Sequence, residues 1–205
     1  VMGVYQLVAR AYFIMVARKH GKAIQVNRLL VESEEEKRRF AKGEQRQIKR
    51  KVLSQTNYLK SPPTEKESEL LHTLYLRIKH GELYDGVLMN QTLRQSTILM
   101  HPQERNIHHQ IFGGYTMRLS FELAWNIAYL YCRKHPLFVT VDHIYFYKSI
   151  EIGAIMSYTG LVTYTGTTSF IVEITAEVID PRSGQTEVTN VCYFTFVSVN
   201  EEEKP

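Results

Sequence analysis

From residue 95 onward the apolar positions follow two different periods. Four runs, 137–148, 154–165, 168–180 and 187–199, are rich in Val, Ile, Thr, Tyr and Phe. They are separated by Glu151-Ile152-Gly153, Gly166-Thr167 and Pro181-Arg182-Ser183-Gly184, the marks of strands joined by turns. The third run alternates most cleanly: Phe170, Val172, Ile174, Ala176 and Val178 interleave with Ser169, Glu173, Thr175 and Glu177, so one sheet face is buried and the other wet. The four runs are expected to form an antiparallel meander. Ahead of them, Ser96–Met100 reads as a short strand. Tyr115–Cys132 carries only two charged residues, Arg118 and Glu122. A helix apolar nearly all round is expected in the centre of its domain. Gly113-Gly114 opens it and Pro136 stops the chain shortly after it. A strand, a long helix and four strands make an α+β domain.

The first ninety residues have a different texture. Val4–Val8 and Ala11–Ala17 are strand-like, and a strand at the start of a chain needs a sheet to satisfy its backbone and its apolar face. Its partners are expected upstream, so the chain reads as a piece of something longer. A polar, Gly- and Pro-punctuated connector comes next, with a helix over about 33–50 and another from Thr64-Glu65. In the second, Leu70, Leu71, Leu74 and Ile78 form a helical stripe.

Charge sharpens this division. The 205 residues carry a net charge of +4, of which residues 1–90 supply +7 and residues 91–205 supply −3. The densest basic run, Lys37 to Lys51, invites a nucleic-acid reading. However, Ser33-Glu34-Glu35-Glu36 starts a capped helix with acids first and bases after, the order a solvated helix favours, and no stacking aromatics interleave beyond Phe40. No nucleic-acid partner is expected. The longest apolar stretch, Ala11–Ala17, is too short for a membrane span, and no leader segment is visible. Two cysteines, Cys132 and Cys192, make neither a disulfide framework nor a metal motif, which suits a reducing compartment.

Chemistry concentrates between residues 101 and 122. The loop His101-Pro102-Gln103-Glu104-Arg105-Asn106-Ile107-His108-His109-Gln110 leads into Ile111-Phe112-Gly113-Gly114. His101, His108, His109, His143 and Asp142 match no standard zinc spacing, so no metal is expected. No Gly-x-Ser-x-Gly elbow is present, and Cys132 lies in the apolar helix, so a nucleophilic esterase has little support. At a buried helix start, the free N–H groups of Gly113 and Gly114 and the positive end of the dipole suit a polarised carbonyl. Tight packing explains two glycines as well. Asn106 similarly suits either orientation of a water or plain capping of its own loop. Glu122 lies four residues after Arg118, where an ion pair accounts for both.

A long, almost uncharged helix entered through Gly-Gly and wrapped by an antiparallel sheet resembles the hotdog fold. His101–Asn106, Ile111-Phe112-Gly113-Gly114, Phe121-Glu122-Leu123-Ala124-Trp125, Val141-Asp142-His143-Ile144 and Asn190–Phe196 closely resemble the tandem-hotdog acyl-coenzyme A thioesterases, above all the mitochondrial thioesterase 9 kind. Tyr12–Arg18 resembles the closing strand of a first repeat. The resemblance implies closing strands of a truncated first repeat over 1–20, a charged helical linker over 21–90 and a complete hotdog domain over 91–200. It implies hydrolysis of acyl-coenzyme A to fatty acid and coenzyme A without a cofactor, a mitochondrial location, a second hotdog repeat as partner and a homo-oligomer.

Asn106 matches the family's active-site asparagine, with Gly113 and Gly114 beside it and His108, Phe112 and Phe121 around the substrate. The family's acid lies on the helix seven residues after the second glycine, and here that position is Phe121. Its neighbour Glu122, turned by about 100° of helix, is not an obvious substitute. The resemblance therefore implies an active site shared with a first repeat that supplies the acid. Two alternatives stay open. One is a non-catalytic repeat that binds acyl thioesters or supports a dimer, and the other is a hotdog dehydratase using His108 or His109 with Glu122.

Overall fold

The computed structural model describes residues 8, 10–19, 22–55, 63–80 and 86–198. The chain falls into two units, 1–80 and 81–205. The division comes ten residues before the expected start of the hotdog domain, because residues 86–92 belong to the second unit. Thr92 is buried, and its Oγ1 accepts a 3.0 Å hydrogen bond from the Val162 N–H.

In the first unit, β1 (Arg18–Lys19) and β2 (Lys22–Ala23) form a two-residue antiparallel ladder, followed by α1 (Glu34–Gln55) and α2 (Glu65–Lys79). Both helices begin where the capping residues place them. The Glu36 N–H donates to Ser33 Oγ while Glu36 Oε2 accepts from the Ser33 and Glu32 N–H groups, and Thr64 with Glu67 repeats the pattern. These bonds hold both carboxyls below the ordinary glutamate range. The expected strand over 4–8 lies outside the described residues apart from Val8. Residues 11–17 form no strand here; Tyr12, Phe13, Ile14, Met15 and Val16 are exposed. Among the described residues no strand pairs with residues 11–16, so their backbone has no ladder to hold them extended.

The second unit is a five-stranded antiparallel sheet with a helix across one face. Its strands are β3 (Arg94–Leu99), β4 (Pro136–Phe146), β5 (Ile155–Thr165), β6 (Ser169–Ile179) and β7 (Thr186–Ser198), in the order β3-β5-β6-β7-β4. The helix α3 runs Gly113–Cys132. This is the hotdog architecture. The meander holds for β5, β6 and β7. However, β4 pairs with β7 at the far edge instead of with β5. Strand periodicity reports which face a residue takes and carries no information about which neighbour a strand selects. Here β3, coming before the helix, occupies the free side of β5.

The core lies between the sheet and α3. Inward residues alternate along β5, β6 and β7, and Phe121, Phe138, Phe170, Phe194 and Phe196 join in one aromatic cluster with ring centroids 5.2–6.4 Å apart. α3 is not buried all round. Thr116, Ser120, Leu123, Ala124, Ile127 and Ala128 are covered, whereas Arg118, Glu122, Asn126, Tyr129 and Leu130 face outward. One sheet covers one side of a helix, so the nearly uncharged composition of α3 exceeds what this chain alone can bury. Among the described residues no helix is long and apolar enough to cross a membrane.

Candidate active site

The loop before α3 is held shut by the backbone and by one side chain. The Asn106 N–H donates to Gln110 O at 2.7 Å and the His109 N–H to Asn106 O at 3.1 Å. Asn106 Oδ1 accepts from the N–H groups of His108 (2.8 Å) and Gln110 (3.2 Å), an Asx turn that lets His109 adopt φ 57°. An antiparallel bridge from Arg105 to Ile111 and a bond from the Phe112 N–H to Glu104 O tie this loop to the start of α3. The capping explanation for Asn106 is thus correct for its oxygen. Its Nδ2 has no hydrogen-bond partner among the described residues. An amide whose oxygen accepts two bonds is polarised toward stronger donation at nitrogen.

The helix starts without a side-chain cap. Phe112 takes the N-cap place in an extended conformation, and the Tyr115 N–H donates back to Phe112 O. The Gly113 and Gly114 N–H groups have no partner among the described residues. Both glycines also have packing reasons. A Cβ on Gly113 would sit 3.2 Å from the Phe146 ring, and one on Gly114 would sit 2.3 Å from the Phe112 ring. Phe112 and Phe146 are both more than half exposed, so the two free amides lie between two apolar rings that face solvent. Two adjacent donors at a helix N-terminus, flanked by low-dielectric groups and joined through a short loop to a third donor on Asn106, can bind an oxygen that gains negative charge.

The remaining expected residues do not converge on this point. Glu122 lies eight residues beyond Gly114, about 12 Å along the helix axis. It is on the outward face, where Arg118 Nε donates to its Oε1 at 2.8 Å and the pair raises the Arg118 pKa. Phe121 points to the sheet and packs among Phe138, Phe194 and Phe196. His108 and His109 are exposed on the loop. Among the described residues no three His, Cys, Asp or Glu side chains group to hold a metal ion, and the side chain of His143 lies outside the described set. Burial pushes the Cys192 thiol up to about 11, so it is not a ready thiolate, and Cys132 Sγ donates to Lys134 O at 2.9 Å. A cavity of about 180 Å³, lined by Arg94, Ile127, Leu130, Tyr131 and Arg133 among others, lies at the C-terminal end of α3, the end opposite Gly113.

Five buried polar residues were not marked by the sequence reading: Thr116 and Ser120 on α3, Tyr158 on β5, and Thr189 and Asn190 on β7. Alternation along β7 was the available signal, since Asn190 shares a face with Cys192, Phe194 and Phe196.

Comparison with known proteins agrees with this geometry. A model of the thioesterase superfamily matches residues 108–184. The mouse mitochondrial acyl-coenzyme A thioesterase 9 is 35% identical over 209 residues, 96% of this chain and 47% of its own length. This chain therefore spans about half the length of that curated relative. Among solved structures, an acyl-coenzyme A hydrolase from Staphylococcus aureus, seen with butyryl coenzyme A, is 29% identical with a TM-score of 0.55. The match covers 57% of this chain and 71% of that one. The same hydrolase has been solved with an aspartate, an asparagine or a threonine replaced by alanine. A hexameric acyl-coenzyme A thioesterase, 26% identical with a TM-score of 0.55, matches over 58% of this chain and 76% of its own. With its helix-on-sheet architecture and its glycine-led helix start, the chain carries a hotdog domain of the thioesterase superfamily and is a homologue of the mitochondrial acyl-coenzyme A thioesterases.

Proposed function

We propose that this chain supplies half of an active site that hydrolyses acyl-coenzyme A to a fatty acid and coenzyme A. The observation that carries the reading is the set of three free donors, the Gly113 and Gly114 amides and Asn106 Nδ2, held by one short loop at the start of α3. The thioester carbonyl oxygen takes the two amides, and Asn106 Nδ2 orients the carbonyl or the attacking water. Water adds to the carbonyl carbon as a base removes its proton, the C–S bond then breaks, and the proton passes to the departing sulfur. Phe112 and His108, exposed beside the donors, line the approach. Phe121 packs into the aromatic cluster and stands apart from them.

The base comes from another repeat in this proposal. In the Staphylococcus hydrolase the substituted asparagine and aspartate stand fifteen residues apart, the interval from Asn106 to Phe121 here. A phenylalanine therefore stands where an acid would, inside an aromatic cluster with no room for a carboxylate to work. Residues 1–20 are read as the closing strands of a first hotdog repeat, 21–90 as a linker and 91–200 as the second repeat. The half-length match to the relatives and the exposed apolar residues 12–16 support that division. The hexameric relative supports a homo-oligomer, and the names of the relatives support a mitochondrial location.

The Phe121 substitution also favours a second reading, a repeat that binds acyl thioesters without hydrolysing them. Assays of the intact protein with acyl- and enoyl-coenzyme A substrates separate the two and also test the dehydratase alternative. Asn106→Asp keeps the oxygen that closes the Asx turn and removes the N–H donors, so its expected effect is a loss of about 100-fold or more in kcat with an unchanged fold. Wild-type hydrolysis by this variant would rule out the role assigned to Asn106.

A further inference from the structure

Among the described residues, three buried side-chain polar atoms have no hydrogen-bond partner: Tyr158 Oη and both Oδ1 and Nδ2 of Asn190. Tyr158 is 0% and Asn190 1% exposed. Polar groups are rarely left in this condition, and each instance calls for a physical reason.

Their place in the fold suggests one. Along β7 the helix-facing residues are Asn190, Cys192, Phe194 and Phe196, and their neighbours on α3 run in the same order. Cys192 lies beside Ser120, and Phe194 and Phe196 lie against Phe121. One step back along both elements puts Asn190 beneath the first turn of α3. A second line agrees: Asn190 is in register with Phe146, whose ring lies against Gly113. Tyr158, Ala176 and Asn190 form one row across β5, β6 and β7. The small Ala176 side chain leaves space between the other two. The Tyr158 hydroxyl is raised by burial and by its neighbours Tyr115 and Cys192, which places its tip toward the same region.

The adjacent hydroxyls are already committed as donors. Thr116 Oγ1 donates to Gly113 O at 2.8 Å, Ser120 Oγ to Thr116 O at 2.9 Å and Thr189 Oγ1 to Ala176 O at 3.1 Å. The groups still unpaired are an amide N–H₂, an amide oxygen and a phenol oxygen. One water fits that set, accepting from Nδ2 and from the Tyr158 O–H and donating to Oδ1, which leaves its second hydrogen for a carbonyl of the turn above; buried waters typically make about three such bonds. The turn above needs an anchor. It opens with two glycines, the most conformationally free residues, and its N-cap Phe112 gives no side-chain bond.

We propose that Asn190 and Tyr158 hold a buried water beneath the first turn of α3, and that through it Asn190 is a positioning residue that fixes the Gly113 and Gly114 amides. This rests on the proposed hydrolysis. Asn190 touches no substrate, so its contribution is read in kcat.

The test uses the intact protein with an acyl-coenzyme A substrate. Asn190→Leu is expected to lower kcat about tenfold with KM within twofold and an unlowered melting temperature. Asn190→Ser, which keeps a polar group and room for water, retains more activity. Tyr158→Phe loses several-fold, and adding it to Asn190→Leu costs nothing more, because both remove the same water. If Asn190→Leu does not fold, the shape-conserving Tyr158→Phe takes its place. Wild-type kcat in the folded variant, multiplicative losses in the double variant, or a loss that tracks melting temperature would overturn the proposal. An intact wild-type protein inert toward acyl-coenzyme A would refute the hydrolysis reading instead. The water is checked separately: density between Tyr158 Oη and Asn190 in a crystal structure supports the site, and a dry contact overturns it.

Discussion

Asn106 uses the two ends of one amide for two tasks, since its oxygen closes the loop and its nitrogen faces away from the backbone it stabilises. Its position at the head of a His-rich loop was legible in the sequence. The division of labour within the side chain was not, because it depends on where the N–H groups of residues 108 and 110 point. Glu173 shows a similar dependence on neighbours. Alternation places it on the wet face, yet it is half-buried there beside Tyr193. Burial raises its carboxyl above the ordinary value near 4.5, and the Tyr193 hydroxyl pulls it partly back. The folded state therefore keeps this proton at pH values where the unfolded chain has released it, and stability is lost as pH rises through the folded-state value. Glu173→Gln is expected to raise the melting temperature relative to wild type at about pH 7.5, with a smaller difference at about pH 4. Equal differences at the two pH values would show that Glu173 burial has no energetic consequence.

At the scale of elements, the packing of α3 on the sheet depends on one small residue in β5. A Cβ on Gly160 would sit 2.3 Å from Ile174 Cδ1 and 2.6 Å from Ile127 Cδ1, with Glu173 O at 3.3 Å. Gly160→Ala is expected to cost about 1–3 kcal/mol in denaturant unfolding, as overpacking does. A stabilised variant would mean that the isoleucines move aside freely. Opposite in sign but equal in origin, Phe196→Ala removes the fully buried centre of the aromatic cluster, and about 3–5 kcal/mol should be lost. The helix and strands were legible from their periods within a few residues, whereas the place of β4 was not. Its run of Leu137, Phe138 and Val139 looks like an interior strand, but all three side chains are exposed on the sheet edge.

For the whole molecule, the prediction concerns a chain that spans about half the length of the curated relatives it matches. Under the proposed shared site, Phe121 at the acid position leaves this chain without a base of its own. These 205 residues alone are expected to show little or no thioesterase activity, while the intact protein is active. Robust single-turnover hydrolysis of an acyl-coenzyme A by the isolated chain would refute a shared site. The charge division agrees, with +7 on the first ninety residues and −3 on the rest. Residues 1–20 hold +3 of the excess and residues 21–90 hold +4.

The amino-acid order by itself determined the local periods, the capped helix starts, the buried face of each strand and the motif from His101 to Gly114. All of these arise from near neighbours along the chain. Only the tertiary structure decided that β4 crosses to β7 and that Phe121 packs into an aromatic cluster. It also decided that the polar residues Thr116, Ser120, Tyr158, Thr189 and Asn190 are buried. Those outcomes depend on which surfaces meet, and a one-dimensional pattern records the face of each residue without naming its partner.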